Sequence, residues 1–157
     1  MNYIEGENLK DIKNKLNYEE KLDILIQLSK IVKELHKVRI IHCDIKPENI
    51  IYNRGKIYII DFGSAMLDGE KVEYIQGSKN YSAPEIYQEF IRCPQNDIYS
   101  VASIYNQLIE EEKKDYKIIY GGMKKDKKER FNSIDKILRI LLDIRSKIWK
   151  DTIFMMN

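Results

Sequence analysis

The chain has little cysteine, no long apolar run and no dominant charge. Its two cysteines, Cys43 and Cys93, fit no zinc-binding spacing and cannot make a disulfide framework. The default expectation is a reduced, cytoplasmic setting. No apolar stretch approaches the roughly 20 residues of a membrane-crossing helix. The opening MNYIEGENLK is neither basic nor apolar enough for a secretory leader. Lys and Arg number 27 against 25 Asp and Glu, and the signs are mixed along the chain, which argues against nucleic acid as the partner. The lysine-rich Lys124–Lys128 reads as a solvated loop. There are no repeats and no low-complexity linker, so 157 residues are read as one domain, 1–157, with its own core.

What is present is mostly helical periodicity. Glu7 to Leu16 reads as a short helix with Asn8 as N-cap. Asn17 with Glu20 makes a capping signal, followed by Leu25, Leu28, Ile31, Val32 and Leu35 at helical spacing through His36. Two apolar runs then flank Arg54-Gly55, predicting a β-hairpin of Ile50–Tyr52 with Ile57–Ile60. Residues 64–82 read as a surface loop, and Pro84 opens a short helix. Ile98, Val101, Ala102, Tyr105 and Leu108 mark a strong helix capped by Asn96 or Asp97. Residues 110–130, with Gly121-Gly122, read as a helix tail and loop. A last helix over 133–149 turns Ile137, Leu138, Leu141, Leu142 and Ile148 inward.

The chemistry-bearing residues cluster around that hairpin. HCDIKPEN, His42 to Asn49, leads into its first strand, and DFG, Asp61 to Gly63, leaves its second. A hairpin brings Asn49 and Asp61 to one end. Phosphoryl transfer needs a metal on the phosphates, charge neutralisation and an aimed acceptor hydroxyl. Asn49 and Asp61 are oxygen donors suited to Mg²⁺. Lys46 offers a compact positive charge, and Asp44 can take or orient a hydroxyl proton.

These residues resemble the eukaryotic-type protein kinases. HCDIKPENII looks like that family's catalytic loop, DFG like its metal motif, and GSKNYSAPE, Gly77 to Glu85, like its substrate-docking segment. Aminoglycoside-type kinases share the two aspartates but lack the KPEN and APE patterns. The resemblance implies a mainly α, protein-kinase-like C-lobe: a helical bundle with a small β-hairpin carrying the catalytic and metal loops. It implies ATP and Mg²⁺ as cofactors and a protein substrate with a serine or threonine acceptor. By resemblance, Asp44 is the catalytic base, Lys46 contacts the transferring phosphate, Asn49 and Asp61 hold Mg²⁺, and Ser78 bonds Asp44 and Lys46. His42 and Phe62 resemble the family's hydrophobic spine, and Asp97 its anchor at the start of the central helix. MNYIEGENL resembles the hinge, with Met1 as gatekeeper, backbone groups of Tyr3 and Ile4 for adenine, Asn8 near the ribose and Ile51 under the base.

The match runs only from the hinge through the C-terminal lobe. The 157 residues hold no glycine-rich phosphate loop, no strand lysine and no partner glutamate, and Tyr120–Lys125 has the wrong spacing to replace the loop. The expectation is therefore a kinase C-lobe with the N-lobe absent, very weak or inactive alone, and a separate N-lobe or partner kinase to complete it. The alternative is a non-catalytic, pseudokinase-type binding module or a truncated remnant. Cys43 stands where the family carries an arginine that reads activation-loop phosphate, so switching through Ser64, Tyr74 or Ser82 is not expected, and Cys43 is read as a quiet thiol. Glu85 needs an arginine partner, for which Arg145 is the candidate. His36 is read as a plain helix end.

Overall fold

The structure, a computed structural model, describes residues 5–72, 77–90 and 92–155. Met1, Tyr3, Ile4 and Tyr74 lie outside them. The described chain is mostly helical with small antiparallel sheets. It opens with β1 (Glu7–Asn8) and a single helical turn, α1 (Leu9–Ile12). Asn8 caps that turn, its side chain accepting from Lys10 N. The helix is shorter than its sequence suggested.

The central beam is α2 (Tyr18–Lys37). Its capping box forms in full: Asn17 accepts from Glu20 N at 3.0 Å, and Glu20 accepts from Asn17 N at 2.9 Å. Leu22, Leu25, Leu28 and Val32 are fully buried along one face. At about 1.5–3 kcal/mol for each such side chain, this face outweighs any cap. After β2 (Ile40–Ile41) comes the expected hairpin, β3 (Ile50–Asn53) with β4 (Lys56–Ile59), pairing Ile50 with Ile59 and Asn53 with Lys56. β1 adds to the other edge of β3. Gln27 of α2 braces the hairpin turn, donating to Gly55 O at 2.8 Å and accepting from Ile57 N at 3.3 Å. The segment read as plain loop contains a short strand, β5 (Met66–Leu67), which pairs with β2.

The second buried helix is α3 (Pro94–Leu108). Its cap is neither Asn96 nor Asp97. Pro94 begins the helix, Cys93 precedes it, and Asn96 reaches back to accept from Cys93 N at 3.0 Å. Asp97 lies inside the first turn, fully buried. The helix stops at Leu108, and the charged stretch beyond holds α4 (Tyr116–Gly122), not a helix tail. The glycines read as loop end α4 in close contacts: a Cβ on Gly122 would sit 2.4 Å from that of Ala102 in α3, and one on Gly121 would run into the Phe131 ring. The last helix, α5 (Asp135–Met155), packs on α2 through Ile137 and Leu141. It is longer than expected, and Leu142 points outward, 43% exposed. Among the described residues, no helix is long and apolar enough to cross a membrane.

The buried Glu85 does find an arginine, but not Arg145. Arg145 pairs at the surface with Glu19 and Asp23. Arg130, in the loop before α5, grips Glu85 with two bonds of 2.7 and 3.0 Å and also donates to Gln95 O and Lys124 O. Asn96 Nδ2 gives Glu85 a further bond at 2.8 Å. Arg130's side chain is fully buried, so removing its partner strands a charge. Glu85→Ala should lower unfolding free energy by about 3–5 kcal/mol in urea denaturation, whereas Glu19→Ala should cost under about 1 kcal/mol. Equal losses would show that the Glu85 pair has no special weight.

Candidate functional site

The site begins with a buried carboxylate. Asp97 accepts from His42 N at 2.9 Å on Oδ2 and from Cys43 N at 2.9 Å on Oδ1. His36 Nε2 lies 3.0 Å from the same Oδ2. His36 is thus part of the anchor and not a plain helix end. These contacts fix the loop that leaves β2. They hold Cys43 at φ 66°, a left-handed conformation that costs a non-glycine residue about 1–3 kcal/mol.

His42 is fully buried and packs on Phe62, ring centroids 4.7 Å apart. Asp44 N approaches its Nδ1 at 3.3 Å, and Nε2 lies 3.3 Å from Ile60 O. A backbone N–H can only donate, so Nδ1 accepts and Nε2 carries the proton. That bonding suits a packed structural ring.

The next residues form a closed network. Asp44 Oδ1 accepts from Ser78 Oγ at 2.5 Å, and Oδ2 accepts from Lys46 Nζ at 2.7 Å. Lys46 also donates to Ser78 Oγ at 2.9 Å. Asn49 Nδ2 donates to Asp44 O at 2.9 Å and to Oδ2 at 3.1 Å. The docking segment is therefore bonded directly to the catalytic-type loop. A recess of about 70 Å³ opens between Cys43, Asp44, Lys46, Ser64, Gly77 and Ser78. It has room for a hydroxyl group or a few waters.

Asn49 and Asp61 do meet at one end of the hairpin, where Ile60 N donates to Asn49 O at 2.9 Å. Asp61 is left-handed, φ 64°, and exposed, and Gly63 N approaches its Oδ1 at 3.3 Å. Asn49's amide nitrogen is committed to Asp44, so its amide oxygen is the atom left for a ligand. One carboxylate and one amide oxygen suit Mg²⁺, which takes few protein ligands. Among the described residues, no three His, Cys, Asp or Glu side chains gather as a metal cage.

Beside this end lies the surface expected to face adenine and ribose. Ile51 is half-buried in β3, opposite Asn8 and Tyr58. Gly6 reaches it closely: at φ 147°, a Cβ there would sit 2.6 Å from Ile51 Cγ2. Asn8 spends its amide on the α1 cap and on Glu48 O, the latter at 2.6 Å. Tyr58 and Phe62 are partly exposed on this side. Tyr3 and Ile4 fall outside the described residues. Three contributors escaped the sequence reading: His36, Gly6 and Arg130. No local spacing signals any of them.

A sequence model of the protein kinase domain matches residues 1–152. The chain belongs to the protein kinase family. It is similar to a probable serine/threonine-protein kinase of Dictyostelium discoideum, 42% identical over 99 residues, covering 58% of this chain and 7% of that protein. It is 43% identical over 68 residues to KEOPS complex subunit Bud32 of Pyrococcus abyssi, covering 43% of this chain and 31% of that protein. A probable serine/threonine-protein kinase of Clostridium perfringens is 33% identical over 117 residues, covering 69% of this chain and 17% of that protein. This kinase-family chain thus spans less than a third of the length of each of these relatives.

Cys43 lies buried next to Asp44 at the site. Burial pushes its thiol up to about 12, the Asp97 charge adds to this, and Arg92 offsets part of it. The thiol is therefore neutral and a poor nucleophile at physiological pH. In the folded protein at pH 8, Cys43 should resist iodoacetamide and react only on denaturation, as read by peptide mass spectrometry. Rapid native labelling of Cys43 would contradict this environment.

Proposed function

We propose that residues 1–157 form one unit, the hinge and C-terminal lobe of a serine/threonine protein kinase. With an N-terminal lobe over the nucleotide, it transfers phosphoryl groups from ATP to serine or threonine hydroxyls of proteins. The observation that carries this reading is the closed Asp44–Lys46–Ser78–Asn49 network beside the recess.

In this reading Asp44 receives or orients the acceptor hydroxyl's proton. Ser78 holds its carboxylate at Oδ1, and Lys46 and Asn49 hold it at Oδ2. Lys46 also faces the negative charge of the transferring group. Asn49 Oδ1 and the Asp61 carboxylate would hold Mg²⁺, while Asn8 and Ile51, with Tyr3 and Ile4 by resemblance, would border adenine and ribose. Bound Mg²⁺–ATP supplies the activated phosphoryl group and the charge neutralisation that its transfer requires.

The nucleotide's lid and its phosphate-binding lysine must come from outside these 157 residues. Losing one positioned donor in such a site costs about 10²–10³ in rate, and an open cleft admits water. The chain by itself is accordingly a very weak enzyme.

Calorimetric titration with ATP tests this. Binding should need Mg²⁺ and weaken sharply in Asp61→Asn, which removes the charge but keeps a side chain that tolerates the left-handed backbone. No binding at millimolar ATP by folded protein would remove the reading of this chain as an autonomous nucleotide-binding unit and favour a non-catalytic module.

A further inference from the structure

Beside the recess, the surface is bounded by α1, the turn Pro47–Asn49 and the docking segment 77–82. Its carboxylates are largely spoken for. Glu48 Oε1 lies 3.1 Å from Lys10 Nζ, and Glu110 is paired with Lys21. Own-backbone and Lys10 contacts hold the Glu48 carboxyl below its usual range, against a burial effect that would raise it. Tyr81 of the docking segment stands within the fields of both Glu48 and Lys10. Its hydroxyl donates to Gln107, a neutral group, at 2.7 Å. Gln107 and Lys13 line a groove of about 200 Å³ that continues this surface.

Among the described residues, Lys13 and Lys79 have no ion-pair partner, and Lys79 is exposed one residue past Ser78. Asp11, in the first turn of α1, is the acid there without an ion pair. Lys10 holds Glu48 Oε1 and Glu48 Oε2 is buried without a hydrogen-bond partner, so an incoming cation reaches this carboxylate only by displacing Lys10. An incoming anion meets Lys13 and Lys79 without displacing anything.

We propose that this surface selects acceptor segments with acidic residues flanking the hydroxyl, and that Lys10 sets the preference by occupying Glu48. The inference rests on the kinase reading above for its account of what the surface is for. Exposed pairs are individually weak, so a few of them give roughly a five- to tenfold preference. Salt should erode it, because the charges are solvent-facing.

The test uses the full chain and three fluorescent serine peptides that differ only in flanks: Asp/Glu, Ala/Gly or Lys/Arg. Anisotropy at low ionic strength should rank them acidic, neutral, basic. The acidic peptide should bind about five- to tenfold tighter than the basic one, with the gap shrinking in 0.5 M NaCl. Lys79→Glu should narrow it, and Lys10→Glu with Lys79→Glu should reverse it, with circular dichroism checking that both variants fold. A basic peptide bound as tightly or more tightly, an unchanged order in the double variant, or no binding of any peptide would overturn the proposal. The assay contains no nucleotide, so a failed Mg²⁺–ATP titration strikes the autonomous nucleotide-binding reading and leaves this preference measurable.

Discussion

The site depends on one buried carboxylate. Asp97 sits on the helix that forms the floor of the core, with no exposed surface. An isolated charge there would cost several kcal/mol. Three donors meet it, two from the loop that carries Asp44 and one from His36 on the long helix. Hydrogen bonds to a charged group are worth about 1.5–3 kcal/mol each. They offset the burial and hold Cys43 in its left-handed backbone. The strain at Cys43 and the burial of Asp97 are thus two sides of one arrangement. Releasing either would free the loop on which Asp44, Lys46 and Asn49 are mounted.

Left-handed residues recur around the same centre. Besides Cys43, they include Asp61 in the metal-type loop and Asn80 in the docking segment. Aspartate and asparagine tolerate this conformation better than most side chains, so Cys43 is the exception among the three. The docking segment is in turn tied down by Ser78, whose hydroxyl meets both Asp44 and Lys46. The side that carries the recess therefore has its geometry set by three elements held together through polar contacts. The apolar core lies beneath them.

Much of this was legible wherever local rules act. The Asn17–Glu20 box, the apolar face of the long helix, the Arg54-Gly55 hairpin and the Asn8 cap each follow from a few neighbouring residues. The meeting of Asn49 and Asp61 followed from the hairpin. What stayed hidden depends on distant partners. The glycines of the fourth helix read as loop until the fit of Gly122 against Ala102 and of Gly121 against Phe131 is seen. His36 looks like any helix-terminal polar residue until Asp97 arrives 61 positions later. Leu142 shares a helical repeat with buried neighbours, but among the described residues no element covers its side of the last helix.

Arg130's grip on Glu85 has a consequence for how the chain folds. The two residues are 45 positions apart, and the third and fourth helices lie between them. Contacts of such sequence separation carry a loop-closure entropy that local contacts avoid. Arg130's donors are satisfied only when Gln95 O, in the first turn of the third helix, and Lys124 O, just past the fourth, are also in place. The pair therefore acts as a late clasp, closing after the central helices have packed. A change there would act chiefly on how fast the native state opens, and much less on how fast it is reached.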